Sequence, residues 1–406
     1  MRRGLKIIGA TLLWLVALLA LAATIVPRFL DRRYYDGPPS AHFDGQRFFN
    51  PGADDDTAGV PGGGSRTRFL WRQATGSDAR PPWPETVPVR ASRPARHVAG
   101  DAMVVTWIGH ATVLVQTQGM NILTDPVYAE KAGPFGQGPQ RVTRPGVAFD
   151  DLPPIDLVLL SHNHYDHLDL ATLRRLWQRD RPTIVTSLGN DAILRGEGIV
   201  AQRADWGEGL PVSPKAGGGP FEVTVTRNHH WGSRWFTDRN RALWSSFVVR
   251  LPGGNLFFAG DTGWGDGRWP AEAAKLGPIR LALIPIGAFR FSPGQMANGS
   301  HIGPPQAVDV FRELGASTAI PIHWGTFRLS YEAYDTPPRL LQAAMRCSAI
   351  TRLRPDRRFA PVAIGRQIAV PPIATTLVVP PLPNERPRSG AELLRCLDTP
   401  QVRALH

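Results

Sequence analysis

Between Asp101 and about residue 330 the chain consists of short apolar runs ended by turn residues. MVVTWIG (103–109), ATVLVQT (111–117), NILTD (121–125), IDLVLLS (155–161) and TIVTSLG (183–189) have strand length and are rich in β-branched residues. FEVTVTRN (221–228), LWSSFVVRL (243–251), NLFFAG (255–260), IRLALIPIG (279–287) and TAIPIHWG (318–325) read the same way. Helical spacing falls between some of them. DLATLRRLWQRD (169–180) sets Leu170, Leu173 and Leu176–Trp177 on one face, and PQAVDVFRELG (305–315) opens on proline and closes on glycine. Strands first, then strands alternating with helices, predict an α/β layered domain over residues 101–366.

The flanks read differently. Residues 34–100 are a proline/glycine-rich lead-in: PGADDDTAGVPGGGSR (51–66) is loop chemistry, and the prolines from Pro81 to Pro94 forbid long regular elements. Residues 367–406 read as a proline-broken tail with one short helix at Ala391–Leu397. At the other end, residues 1–33 contain an uncharged run from Ile7 to Val26. As a helix, 20 residues at about 1.5 Å each span about 30 Å, the hydrocarbon thickness of a bilayer. Arg2, Arg3 and Lys6 precede the run and Arg28, Arg32 and Arg33 follow it, so charge asymmetry orients it little. Ala20-Leu21-Ala22 also fits a signal-peptide cleavage site, which would leave a secreted or periplasmic protein. The length of the run favours an uncleaved anchor, expected in a bacterial inner membrane.

Composition narrows the function classes. Hydrophobic residues at 42% exclude a wholly disordered chain, and two cysteines, Cys347 and Cys396, exclude a disulfide scaffold or a cysteine-rich zinc module. The formal charge of +12 suggests nucleic acid at first sight, yet only four of the 46 basic residues are lysine, as arginine-rich codon use in a GC-rich bacterial genome would produce. No dense basic run with interleaved aromatics follows, so no nucleic-acid partner is expected. A basic surface suits an anionic membrane instead.

The chemistry is concentrated after the run IDLVLLS. Ser161-His162-Asn163-His164-Tyr165-Asp166-His167 places three of eleven histidines and an aspartate in one loop. Neutral imidazoles and carboxylates are ligands for zinc and similar ions. A tight loop there aims His162 and His164 at one metal, and Asp166 and His167 at a second. His229-His230-Trp231, Asp261 in the turn GDTG, and His323 each follow another strand-like run. In α/β sheets, sites gather beyond strand carboxyl ends. The whole set is what a two-metal centre requires, with Asp261 as the bridging carboxylate.

These motifs resemble the metallo-β-lactamase superfamily. The order TWIGHATVLVQ, ILTDPVY, GPQRVTRPG, LPPIDLVLLSHNHYDHLD, LWSSFVV, FFAGDTG, GPIRLALIPIGAF and IHWGTF resembles its N-acyl-phosphatidylethanolamine-hydrolysing phospholipase D branch over roughly residues 103–330. The resemblance implies an αββα sandwich of two mixed sheets flanked by helices, preceded here by a membrane helix. It implies two zinc ions, with manganese or iron(II) as alternatives. His162, His164 and His230 would hold the first, and Asp166, His167 and His323 the second, with Asp261 between them. Asp166, His301 and Asp125 are the implied catalytic residues, and His110 and His229 the implied supporting ones. Gly303 departs from the branch, which usually has an acidic or amide residue there. The implied activity is hydrolysis of a membrane phosphodiester lipid by activated water. Another phosphodiester, a lactone or an amide remains open as substrate, and so does a non-catalytic metal-binding envelope protein.

Overall fold

The computed structural model describes residues 2–52, 80–214, 220–235, 237–291, 294–373 and 386–405. The chain first lays down β1 (Met103–Gly109), β2 (Thr112–Thr117), β3 (Met120–Thr124), β4 (Leu157–Leu160), β5 (Thr183–Ser187) and β6 (Gln202–Ala204). It then builds β7 (Gly209–Val212), β8 (Phe221–Thr226), β9 (Ser246–Val249), β10 (Asn255–Phe258), β11 (Ile279–Pro285), β12 (Thr318–Ile322) and β13 (Arg358–Phe359). Finally β14 (Gln367–Ala369) returns to the first sheet beside β1. The two seven-stranded sheets run β14-β1-β2-β3-β4-β5-β6 and β13-β12-β11-β10-β9-β8-β7. Both are mixed: β1–β2–β3 and β7–β8–β9–β10 pair antiparallel, while β3–β6 and β10–β13 are parallel.

The period-two alternation of the strands creates three layers of contact. Val113 and Val115 of β2 meet Leu256 and Phe258 of β10 between the sheets, while Leu114 and Phe257 point outward. Outside the first sheet, α1 (Arg2–Leu30) apart, the covering helices are α2 (Leu170–Asp180) and α3 (Asn190–Arg195). Outside the second lie α4 (Trp269–Ala274), α5 (Pro304–Glu313), α6 (Thr336–Ser348), α7 (Ile350–Leu353), α8 (Gly390–Leu397) and α9 (Pro400–Arg403). Leu173 and Leu176 of α2 cover Leu123, Val158 and Leu160, and Phe311, Leu340 and Leu341 cover Phe257, Ala282 and Ile284. Helix, sheet, sheet, helix is the αββα sandwich expected from the motifs.

All ten strand-like runs contain a strand, and both helical patterns form helices. Strands β6, β7, β13 and β14 were not anticipated. Each has two to four residues and exposed positions, too short for an alternating pattern to register. Helix α6 begins Thr336-Pro337-Pro338, where proline reads as a breaker but is tolerated in a first turn that needs no donor.

Both flanks engage the domain. In the lead-in, residues 53–79 lie outside the described residues, but Phe43 and Phe48 are buried with Leu188, Leu243 and Trp244. Burying each ring contributes about 1.5–3 kcal/mol before the cost of ordering the segment. Beyond β14, residues 374–385 lie outside the described residues; Leu393, Leu397 and Val402 then join the core under α5 and α6. Cys347 of α6 and Cys396 of α8 form a disulfide, a pairing that the cysteine count alone did not assign. Within α1, Lys6–Val26 is long and apolar enough to cross a membrane, and none of it is buried. Length and exposure suit a membrane anchor or a signal sequence.

Candidate metal centre

Strands β1, β3, β4, β8, β10 and β12 present their carboxyl ends at one rim, and the histidines and aspartates follow them. The loop after β4 turns tightly, with the His167 and Leu168 amides donating to the His164 carbonyl at 3.1 and 2.8 Å. Asp169 then caps α2 by accepting from the Ala171 and Thr172 amides. Gly260, just before Asp261, has φ +61°, and a Cβ there would stand 2.6 Å from the Ser161 Cβ, so glycine lets the two sheets approach. The His323 amide donates to the His110 carbonyl at 3.0 Å, joining the sheets at the rim.

The ligand-type atoms fall into two groups. His162 Nε2 lies 2.8 Å from His164 Nδ1, which is 3.3 Å from His230 Nε2. In the other group, Asp166 Oδ2 lies 3.4 Å from His323 Nε2, 3.5 Å from His167 Nε2 and 3.0 Å from His110 Nε2. Asp261 Oδ2 stands between the groups, 2.9 Å from His323 Nε2, 3.1 Å from His167 Nε2 and 4.0 Å from His230 Nε2. His301 Nδ1 is 3.8 Å from the same oxygen. All seven residues read as metal ligands are therefore brought together.

The residues behind them hold the ligands in orientation. Asp125 is fully buried; it accepts from the Ser161 amide at 2.8 Å and hydroxyl at 2.6 Å, and lies 2.6 Å from His167 Nδ1. Its carboxylate thus faces His167 and Ser161 from behind. Ser161 Oγ is 2.9 Å from His162 Nδ1, and the Ser300 carbonyl 2.9 Å from His230 Nδ1. Such partners fix the tautomer and aim of a ligating imidazole. His110 Nε2 lies 3.0 Å from Asp166 Oδ2, within the group of Asp166, His167 and His323, where it can hold that carboxylate. His229 supports through its backbone, its amide donating to Thr262 Oγ1 at 3.0 Å and its carbonyl accepting from the Gly263 amide at 2.6 Å. Asp125, His110 and His323 all have positive φ, a strained backbone that no sequence pattern signals.

The donor set fits metal. His167 Nε2 and His323 Nε2 face the centre and meet only carboxylate oxygens of Asp166 and Asp261, without a well-formed hydrogen bond, an arrangement costly to bury unless an ion completes it. Burial holds His162 and His230 well below the usual imidazole range and His164 down to about 3, so these three stay neutral. Burial opposes charge on the second group as well, but the carboxylates of Asp261 and Asp166 override it. They lift His167 well above its ordinary value and His323 to about 9. In the metal-free protein these carboxylates therefore favour the protonated forms of His167 and His323. The raised His323 stabilises it fully below pH 6.5, and that contribution is lost as pH rises through about 9. Loading the centre should release protons, and metal affinity should rise with pH across this window. Calorimetric titration in two buffers of different ionisation enthalpy checks this; buffer-independent heats would refute it.

A family model described as a β-lactamase superfamily domain matches residues 120–324, which include every ligand candidate from His162 to His323. The chain belongs to the metallo-β-lactamase superfamily. It is 32% identical over 307 residues to N-acyl-phosphatidylethanolamine-hydrolyzing phospholipase D 1 of Caenorhabditis elegans, covering 73% of this chain and 85% of that one. It is 31% identical over 240 residues to the mitochondrial N-acyl-phosphatidylethanolamine-hydrolyzing phospholipase D of Saccharomyces cerevisiae, covering 58% and 50% respectively. Among solved structures, CmlA, a diiron β-hydroxylase from Streptomyces venezuelae, matches with a TM-score of 0.50 at 18% identity, over 67% of this chain and 55% of that one. At that identity the likeness is one of fold. The protein is a metal-dependent hydrolase of this superfamily, with phospholipase D relatives.

Proposed function

We propose that the centre holds two divalent ions and hydrolyses a phosphodiester of N-acyl-phosphatidylethanolamine-like lipids, with α1 keeping the enzyme at the membrane. The observation that carries this reading is similarity extending over 85% of the C. elegans phospholipase D. His162, His164 and His230 would hold one ion, Asp166, His167 and His323 the other, and Asp261 would bridge. The imidazole-rich set suits zinc, with manganese or iron(II) as alternatives. When bound, such a pair polarises a phosphoryl oxygen and makes water acidic enough to attack near neutral pH.

The chain's own residues do the rest. Asp166, held by His110 at 3.0 Å, orients the attacking water and takes its proton. Asp125 acts through His167, which it keeps aimed at the centre. His301 is 16% exposed at its side chain, the open side of a buried cluster, and its Nδ1 has no hydrogen-bond partner, so it is placed to meet a phosphate oxygen. Burial holds it down to about 4, so it meets that oxygen as a neutral imidazole.

Lipid mass spectrometry tests the reading. Full-length, zinc-loaded protein in detergent is incubated with N-acyl-phosphatidylethanolamine, beside Asp261→Ala. Paired N-acylethanolamine and phosphatidic acid, absent in the variant, are expected. No lipid turnover by protein carrying two metal equivalents would reject the lipid and leave other esters and amides to be examined.

A further inference from the structure

The loop that delivers His230 spans residues 227–245, between β8 and β9, and its described residues form no helix or strand. The segment that follows α1 secures it through side chains and backbone alike. Asp31 receives a forked pair of bonds from Arg241 at 2.8 and 2.7 Å. The Tyr34 hydroxyl donates to Asp238 at 2.9 Å, and Asp238 in turn accepts from the amides of Arg234 and Trp235. The Phe48 amide donates to the Asn240 carbonyl at 2.8 Å. At the end of this clasp, Asn50 Nδ2 donates to the His230 carbonyl at 2.9 Å, while Asn50 Oδ1 accepts from the Trp244 indole at 3.1 Å.

His230 is thus held twice, its ring by the Ser300 carbonyl and its peptide by Asn50. The peptide bond fixes the plane between His230 and Trp231, and with it the direction in which the imidazole leaves the backbone. We infer that Asn50 is a positioning residue for His230, and that the segment after the apolar helix is part of the metal-binding architecture. This rests on the reading of His230 as a ligand.

Each half of the Asn50 contact can be removed separately in the full-length protein. Asn50→Asp keeps the acceptor for Trp244 and replaces the donor to His230 with a second acceptor. Trp244→Phe removes the indole donor and leaves the bond to His230. Asn50→Ala removes both bonds without adding charge. Zinc affinity is measured by chelator competition, and the unfolding midpoint is followed on the metal-free form. A loss of roughly 10–100-fold in zinc affinity is expected for Asn50→Asp and Asn50→Ala, as for other residues that orient a ligand. Trp244→Phe should unfold more easily yet bind zinc as the parent does. Equal zinc losses in Trp244→Phe and Asn50→Asp would reduce Asn50 to a structural contact and overturn the inference. His230→Ala separates the two levels. If it binds zinc like the parent, the ligand reading fails; if it loses zinc while both Asn50 variants do not, the inference alone fails.

Discussion

Replacing Asp261 with alanine is expected to lower turnover by at least about 10²–10³-fold and to strip metal from the centre. The carboxylate oxygen that would bridge is within 3.1 Å of two imidazoles of one group and 4.0 Å from the nearest of the other. With Asp166, its charge favours protonated His167 and His323 in the metal-free protein. The variant should therefore also lose part of the pH-dependent stability that the raised His323 confers. Asp261→Asn preserves shape while removing charge, and should lose metal nearly as far. Elemental analysis with turnover on the same preparations decides the matter: full metal content with full activity would end the bridging assignment.

Replacing Asp125 with alanine should be nearly as damaging by a different route. Its two oxygens serve the Ser161 amide and hydroxyl and His167 Nδ1, all fully buried. Removing it takes away one of the three carboxylates around His167 and leaves the buried Ser161 amide and hydroxyl without their acceptor, a loss of about 1–3 kcal/mol. Because His167 then loses its aim, zinc affinity should also fall by about 10–100-fold. Denaturant unfolding of the metal-free form and zinc titration separate the two effects. Parent-like stability would show that Asp125 is dispensable to the fold, and parent-like affinity that His167 needs no such partner.

These residues differ in how visible they were before the structure. His162, His164, Asp166 and His167 sit in one short loop, and Asp261 and His323 each terminate an apolar run, so strand-end topology sufficed to group them. Residues acting through another residue leave weaker traces. Asp125 and His110 could be placed only through their motifs, and the structure sets His110 beside Asp166. Asn50 was invisible, since its partner lies 180 positions away and its own neighbourhood reads as loop. The fold followed the same division. Long buried strands carry an alternating pattern, whereas β13 and β14 owe their existence to the neighbour each pairs with. The staple between Cys347 and Cys396 depends on two helices meeting, and α8 lies in what composition presents as a tail.

The return of β14 to β1 has a consequence for synthesis. Val104, Val105 and Thr106 find their partners on that side only in Ala369, Ile368 and Gln367. A chain emerging from its N-terminus thus displays every ligand candidate, His323 included, while one border of its first sheet is still bare. Unpaired strand edges are templates for wrong pairing between chains. Arg280 of β11 then reaches across to the Val370 and Pro371 carbonyls at 2.7 and 3.0 Å, clamping the late strand from the other sheet. For the nascent protein, the hazardous interval lies after the chemistry is spelled out and before the border is sealed.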